Sequence, residues 1–177
     1  LFATDSSDYM LEAAEAGADL FLPLPPHLTA DGANWSDLVC YVVARASEDA
    51  DTVCWTPCTA PLVTAPYYTS ALLEWEERDE DVDSLVMVTR LREFLMHPDG
   101  KPMNYDAGPG HVGSQELPPL YSWANALFVA DPTDMLKWRY VHGPMPMLYE
   151  VPREVGVDID DACDLQLARE IHGGAGT

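Results

Sequence analysis

The chain alternates between two hydrophobic rhythms, short apolar runs and longer stretches with a period near 3.6. The second is plainest at Trp35, Leu38, Val39, Val42, Val43 and Ala46, which fall at i, i+3, i+4, i+7, i+8 and i+11 and predict a helix. Tyr68, Leu72 and Trp75 mark another over 65–77, and Met10, Ala13 and Ala14 share a face of one over 7–16. Asp5, Ser6 and Ser7 offer caps for that helix and Gly17 a stop. Asp131-Pro132 opens a short helix to Trp138. Asp160 or Asp161 caps a last helix to His172, after which Gly173 to Thr177 reads as a frayed tail. The apolar runs predict strands at 1–4, 19–22, 51–55, 84–89, 124–130, 145–151 and 155–159, with 51–55 and 84–89 buried in the core.

Strand and helix in alternation imply parallel βαβ units, a mainly parallel sheet covered on both faces by helices. The rhythm breaks over 91–123, where Pro98-Asp99-Gly100-Lys101 reads as a hairpin turn and Gly108, Pro109, Gly110 and Gly113 as a loop. Core pattern resumes at Ala124, so this segment is an insertion within one domain spanning 1–177. Residues 1–4 read as a strand already under way, and the natural protein is expected to start upstream of Leu1 or to have been processed.

Composition narrows the classes. At 47% apolar the chain is globular, and no apolar run is long enough for a membrane span. Thirty acidic residues against nine basic ones give a net charge of −21, which repels nucleic acid and anionic membranes. It also repels nucleotide phosphates unless a metal intervenes. Cys40, Cys54, Cys58 and Cys163 lack paired metal-binding spacing and are expected to be reduced, mostly buried residues of a cytoplasmic protein.

Three segments could carry chemistry. In Val157-Asp158-Ile159-Asp160-Asp161, a strand would put Asp158 and Asp160 on one side and turn Val157 and Ile159 to the core. Two such carboxylates suit Mg²⁺, which takes one or two carboxylates plus substrate phosphates; alternatively the aspartates only cap the helix that follows. The turn Pro57-Cys58-Thr59-Ala60-Pro61-Leu62 follows a strand and could offer backbone groups and the Thr59 hydroxyl to a ligand, or be an ordinary βα loop. In Tyr121 to Asn125, the amide could bond a ligand hydroxyl and Tyr121 or Trp123 could stack on a sugar, or the aromatics simply pack. Neither a phosphate-binding P-loop nor a dinucleotide fingerprint is present.

In order, these pieces resemble the acylneuraminate (CMP-sialic acid) cytidylyltransferase family. Ala3-Thr4-Asp5 with Gly17-Ala18 is similar to that family's Ser-Thr-Asp strand end and Ala-Gly-rich helix end. Pro25, Leu28, Asp31 and Ala33 resemble its R-P-x-x-L-x-x-D-x-A loop, and Thr59-Ala60-Pro61-Leu62 its T-S-P-L turn. His97-Pro98-Asp99-Gly100 fits its insertion, Gln115-Glu116-Leu117-Pro118 with Tyr121 to Asn125 its Q-x-L-P…Y…N-G stretch, and Val157-Asp158-Ile159-Asp160 its V-D-I-D. The resemblance implies a Rossmann-like, GT-A-like α/β three-layer sandwich whose insertion serves as a dimerisation arm.

It further implies CMP transfer from CTP to a nonulosonic acid with release of pyrophosphate, so the partners are CTP, an acidic sugar and a second copy of the chain. Asp158 and Asp160 would hold a catalytic Mg²⁺, and Thr59, Pro61, Gln115, Tyr121 and Asn125 would bind substrate. The strand and basic Gly-rich loop with which that family grips the triphosphate are not in this chain. Leu24, Pro57, Val63, Gly113, Ser114 and Ala126 also depart from its pattern, mostly where it carries charge. Two readings stay open: a cytidylyltransferase, or a catalytically inactive relative kept as a binding or assembly module.

Overall fold

The computed structural model describes residues 1–46 and 50–174. Its elements alternate as the pattern predicts: β1 (Phe2–Thr4), α1 (Ser7–Glu15), β2 (Phe21–Pro23), α2 (Trp35–Ala46), β3 (Val53–Trp55), α3 (Ala65–Glu76), β4 (Ser84–Leu91), β5 (Leu120–Ala130), α4 (Pro132–Trp138), β6 (Pro146–Glu150) and α5 (Ala162–Gly174). Single 3₁₀ turns lie at Pro26–Leu28 and Ser114–Glu116. The strands form two sheets, β1 with β2 and a second in the order β3-β5-β4-β6. No helix among the described residues is long and apolar enough to cross a membrane. Residues 175–177 of the expected tail lie outside the described residues, and helix continues to Gly174.

The chain divides into two compact units, Leu1–Trp55 with Arg78–Leu85 and Phe128–Met147, and Thr56–Glu77 with Val86–Leu127 and Leu148–Thr177. In the first, β1 and β2 pair in parallel with Phe2 opposite Phe21 and Thr4 opposite Pro23. The connecting helix α1 starts where the Ser6 hydroxyl accepts the Tyr9 N–H, and it ends at Gly17, whose φ of +96° only glycine adopts without strain. Helix α2 buries Val39, Val42 and Val43, the stripe its periodicity announces, and packs against α4. Arg139 of the α4 C-cap bonds Asp37 at the start of α2. Phe128 is 1% exposed and stacks on His142 with ring centroids 6.5 Å apart.

The second unit is built on the buried run Val86–Thr89 and on buried Ala124, Ala126 and Leu127; Ala71 and Trp75 of α3 and Ala168 of α5 are buried as well. Thr89 and Ser122 share a hydroxyl–hydroxyl bond of 2.9 Å. The insertion holds its hairpin: His97 N–H donates to Lys101 O at 2.8 Å, and Met96 bridges Pro102. The Lys101 ammonium, 2.8 Å from Asp99, keeps that carboxyl below the usual range. Phe94 packs edge-on to Tyr105 and stacks on His111.

Four expectations change. The expected strand 155–159 is a turn through Gly156 followed by irregular chain without a ladder, and Val157 and Ile159 are only half-buried. β5 begins at Leu120 and not at Ala124, so 120–123 belongs to the strand. β3 is only half-buried because it ends the sheet order, pairing on one side with Phe128 to Ala130 of β5 in antiparallel register. The cysteines are free, but Cys54, Cys58 and Cys163 are exposed and Cys40 is half-buried.

Truncating a large core ring costs about 3–5 kcal/mol. Phe128→Ala should therefore lower the urea-unfolding free energy by that amount, with the dependence on urea unchanged.

Candidate active site

Three segments remote in sequence meet within the second unit, and one amide joins them. Nδ2 of Asn125 lies 3.2 Å from Thr59 Oγ1 and 3.4 Å from Asp158 Oδ1. Both contacts are long, and the two amide hydrogens serve one acceptor each. Backbone fixes the same meeting, because Ile159 N–H donates to Thr59 O at 2.8 Å.

Each segment reaches the site for a local reason. The turn bearing Thr59 is anchored by Ala60 and Val63, both buried, while Pro61 stays exposed. Asn125 is the one residue of Ala124–Ala130 that is not buried, and its φ is +47°. The left-handed region costs most residues about 1–2 kcal/mol, and Asn bears it better because its short amide can bond locally. A polar side chain is thereby turned out of an otherwise apolar strand. The third segment turns in at Gly156, where a Cβ would collide with the Thr89 methyl and sit 3.1 Å from Ala124 Cβ and 3.2 Å from Val151 Cγ2.

The aspartates after Gly156 have separate tasks. Asp161 is the cap of α5: its carboxylate accepts N–H of Cys163 at 2.7 Å and of Asp164 at 3.0 Å. Asp164 reciprocates, accepting the N–H of Asp161 at 3.2 Å and of Asp160 at 3.1 Å. This is a capping box with aspartate at both ends. The carboxylate of Asp160 is exposed and takes no part in it. Among the described residues no hydrogen bond joins Asp160, Pro61, Gln115 or Tyr121 to the Asn125 bridge; Gln115 sits on an exposed 3₁₀ turn and Tyr121 is 38% exposed.

A cavity of about 420 Å³ opens beside Asp158. Its walls bring in Thr89, Arg90, Ser122, Arg153 and Asp164, none of which the motifs single out. The readable signal was the scarcity of arginine, since Arg90 and Arg92 stand two apart at the end of a strand and Arg153 five residues before Asp158. Among the described residues no three His, Cys, Asp or Glu side chains converge as a complete metal cage. Asp158 lines the open cavity and Asp160 follows two residues later; one or two carboxylates suit Mg²⁺, which keeps waters and substrate phosphates as its remaining ligands.

No protein-family model matches the chain, and no curated protein sequence does. Among solved structures it matches the 4-diphosphocytidyl-2C-methyl-D-erythritol synthase of Anaerococcus prevotii with a TM-score of 0.62. The match covers 97% of this chain and 76% of that one at 8% identity. The chain has a cytidylyltransferase-type fold. At that identity the likeness concerns the fold and leaves activity and substrate to be argued from the site.

Asn125→Gly keeps the backbone freedom at φ +47° and removes the amide, whereas Asn125→Ala removes the amide and adds strain. Urea denaturation should find the Ala variant about 1 kcal/mol less stable than the Gly variant. Equal stabilities would mean the left-handed turn is not held.

Proposed function

We propose that this chain is a cytidylyltransferase that moves CMP from CTP to the anomeric hydroxyl of a nonulosonic, sialic-type acid. In that reaction the hydroxyl oxygen bonds the α-phosphorus, its proton is lost, and pyrophosphate leaves. The observation that carries the reading is the Asn125 amide holding Thr59 and Asp158 together, because it unites residues from three of the motifs that resemble the family. Asp158 and Asp160 are the proposed Mg²⁺ ligands. Asp160 suits the task because Asp161 and Asp164 already satisfy the helix start, leaving its carboxylate uncommitted. Mg²⁺ would neutralise triphosphate charge that a −21 chain otherwise repels. Thr59, Pro61, Gln115 and Tyr121 complete the proposed substrate set.

A second reading, a catalytically inactive binding or assembly module, is favoured by Leu24 and Val63, which stand where the resembling family keeps arginines. Calorimetry of CTP with the full-length protein separates the two. The enzyme reading expects binding that requires Mg²⁺ and is abolished by Asp158→Ala. Absence of binding with and without Mg²⁺ favours the module, and binding unaltered by Asp158→Ala rejects the metal assignment.

The proposed assembly is a homodimer formed through the insertion, where Phe94, Met96 and Met103 are 41%, 56% and 54% exposed. Light scattering at micromolar concentration should then give twice the monomer mass, and replacing Met96 by Glu should return it to monomer.

A further inference from the structure

Positive charge is the scarcest resource of this molecule, and it is not evenly spread. Of nine basic residues, three arginines, Arg90, Arg92 and Arg153, line one cavity of about 350 Å³ in the second unit. Two carboxylates, Glu150 and Glu154, line it with them, and a third, Glu93, pairs with Arg153. Arg90, Arg153 and Glu154 also line the larger cavity beside Asp158, where the balance reverses because Asp158 and Asp164 join Glu154. The two cavities thus form a polarised cleft with an acidic end at Asp158 and a basic end at Arg92.

The basic end is built by the fold. Arg90 is the penultimate residue of β4 and Arg92 lies just past its end; two apart on extended chain, they lean to the same side. Val151 N–H donates to Val88 O at 2.9 Å, which pins the chain after β6 beside β4 and brings Arg153 to the pair. Arg90 and Arg92 make no ion pair among the described residues. Arg153 pairs with Glu93 at 3.0 Å, but its side chain is 77% exposed, and such a surface pair is weak enough to exchange for a ligand. Guanidinium groups bind carboxylates and phosphates through paired N–H donors.

We propose that Arg90, Arg92 and Arg153 form an anion pocket that takes the acid group of the acceptor, a sugar carboxylate or sugar phosphate, and aims its reacting end at Asp158. The assignment rests on the transfer reading for the word acceptor, while the pocket itself does not.

The test titrates the full-length protein by calorimetry, without CTP, with N-acetylneuraminate, a hexose 6-phosphate and the neutral N-acetylmannosamine. The acid or the phosphate should bind and the neutral sugar should not; whichever anion binds tighter names the source. Arg153→Gln and Arg90→Gln should each weaken that binding about tenfold or more, the expected effect of losing a charge-assisted hydrogen bond. Affinity for CTP with Mg²⁺ should fall less than affinity for the anion. Because Arg153 is largely exposed, its replacement does not endanger folding. Lys137→Gln, on the surface of the other unit, controls for net charge and should change nothing. Equal binding of neutral and anionic sugars, an equal loss in Lys137→Gln, or a parallel loss of CTP affinity overturns the proposal. A protein that binds the anion through these arginines but never CTP keeps the pocket and loses the transfer reading; one that binds CTP but neither anion does the reverse.

Discussion

The constraint on which the rest depends is the burial of two neighbouring strands. From Ser84 to Thr89 every residue of β4 is buried, and from Ala124 to Ala130 every residue of β5 except Asn125. Strands without a solvent face are mainly apolar, with Ser84 and Thr89 satisfied by hydrogen bonds, so charged and ligand-facing groups are confined to the places where burial lapses. It lapses at the end of β4, where Thr89 gives way to Arg90, and at Asn125, where a left-handed residue turns its amide outward. The candidate site and the anion pocket occupy those two lapses.

The same constraint explains what could be read from sequence. A buried strand announces itself as a continuous apolar run and an amphipathic helix as a 3.6 period, so Ser84–Thr89 and α2 were legible almost to the residue. Edges were not. Val53 to Trp55 has the composition of a core strand, but composition does not say which strand ends a sheet. Val157-Asp158-Ile159-Asp160 alternates as a strand should, yet Pro152 and Gly156 bring the chain in at a turn, and one bond from Ile159 to Thr59 stands in for a ladder. Leu120 to Trp123 was concealed by the irregular insertion before it. Thr59, Asn125 and Asp158 could be named singly from motifs, whereas their union through one amide is a tertiary fact. The arginines escaped because each alone resembles an ordinary surface charge.

Acidity acquires meaning from its distribution. With thirty acidic and nine basic side chains, the long-range field repels anions everywhere, and salt damps it beyond roughly 10 Å. An anionic ligand therefore gains attraction only where short-range donors outweigh that field. Arg90, Arg92 and Arg153 concentrate such donors beside Glu93, Glu150 and Glu154, whereas the Asp158 end of the cleft favours a cation. Such a cleft orients a ligand that is acidic at one end before any specific contact forms.

The run Asp158-Ile159-Asp160-Asp161 with Asp164 looks at first like a destabilising crowd of like charge. The start of α5 makes it tolerable. Unpaired N–H groups and the positive end of the helix dipole favour carboxylates there, and Asp161 and Asp164 between them accept four of those or neighbouring amides. Asp158 is held apart by the Asn125 amide, which leaves Asp160 as the carboxylate without a structural employer. The proposed binding of a cation by Asp158 and Asp160 would leave the cap undisturbed, since the capping oxygens belong to different residues. The sequence therefore divides one acidic motif into a part that builds the helix and a part left available to a ligand.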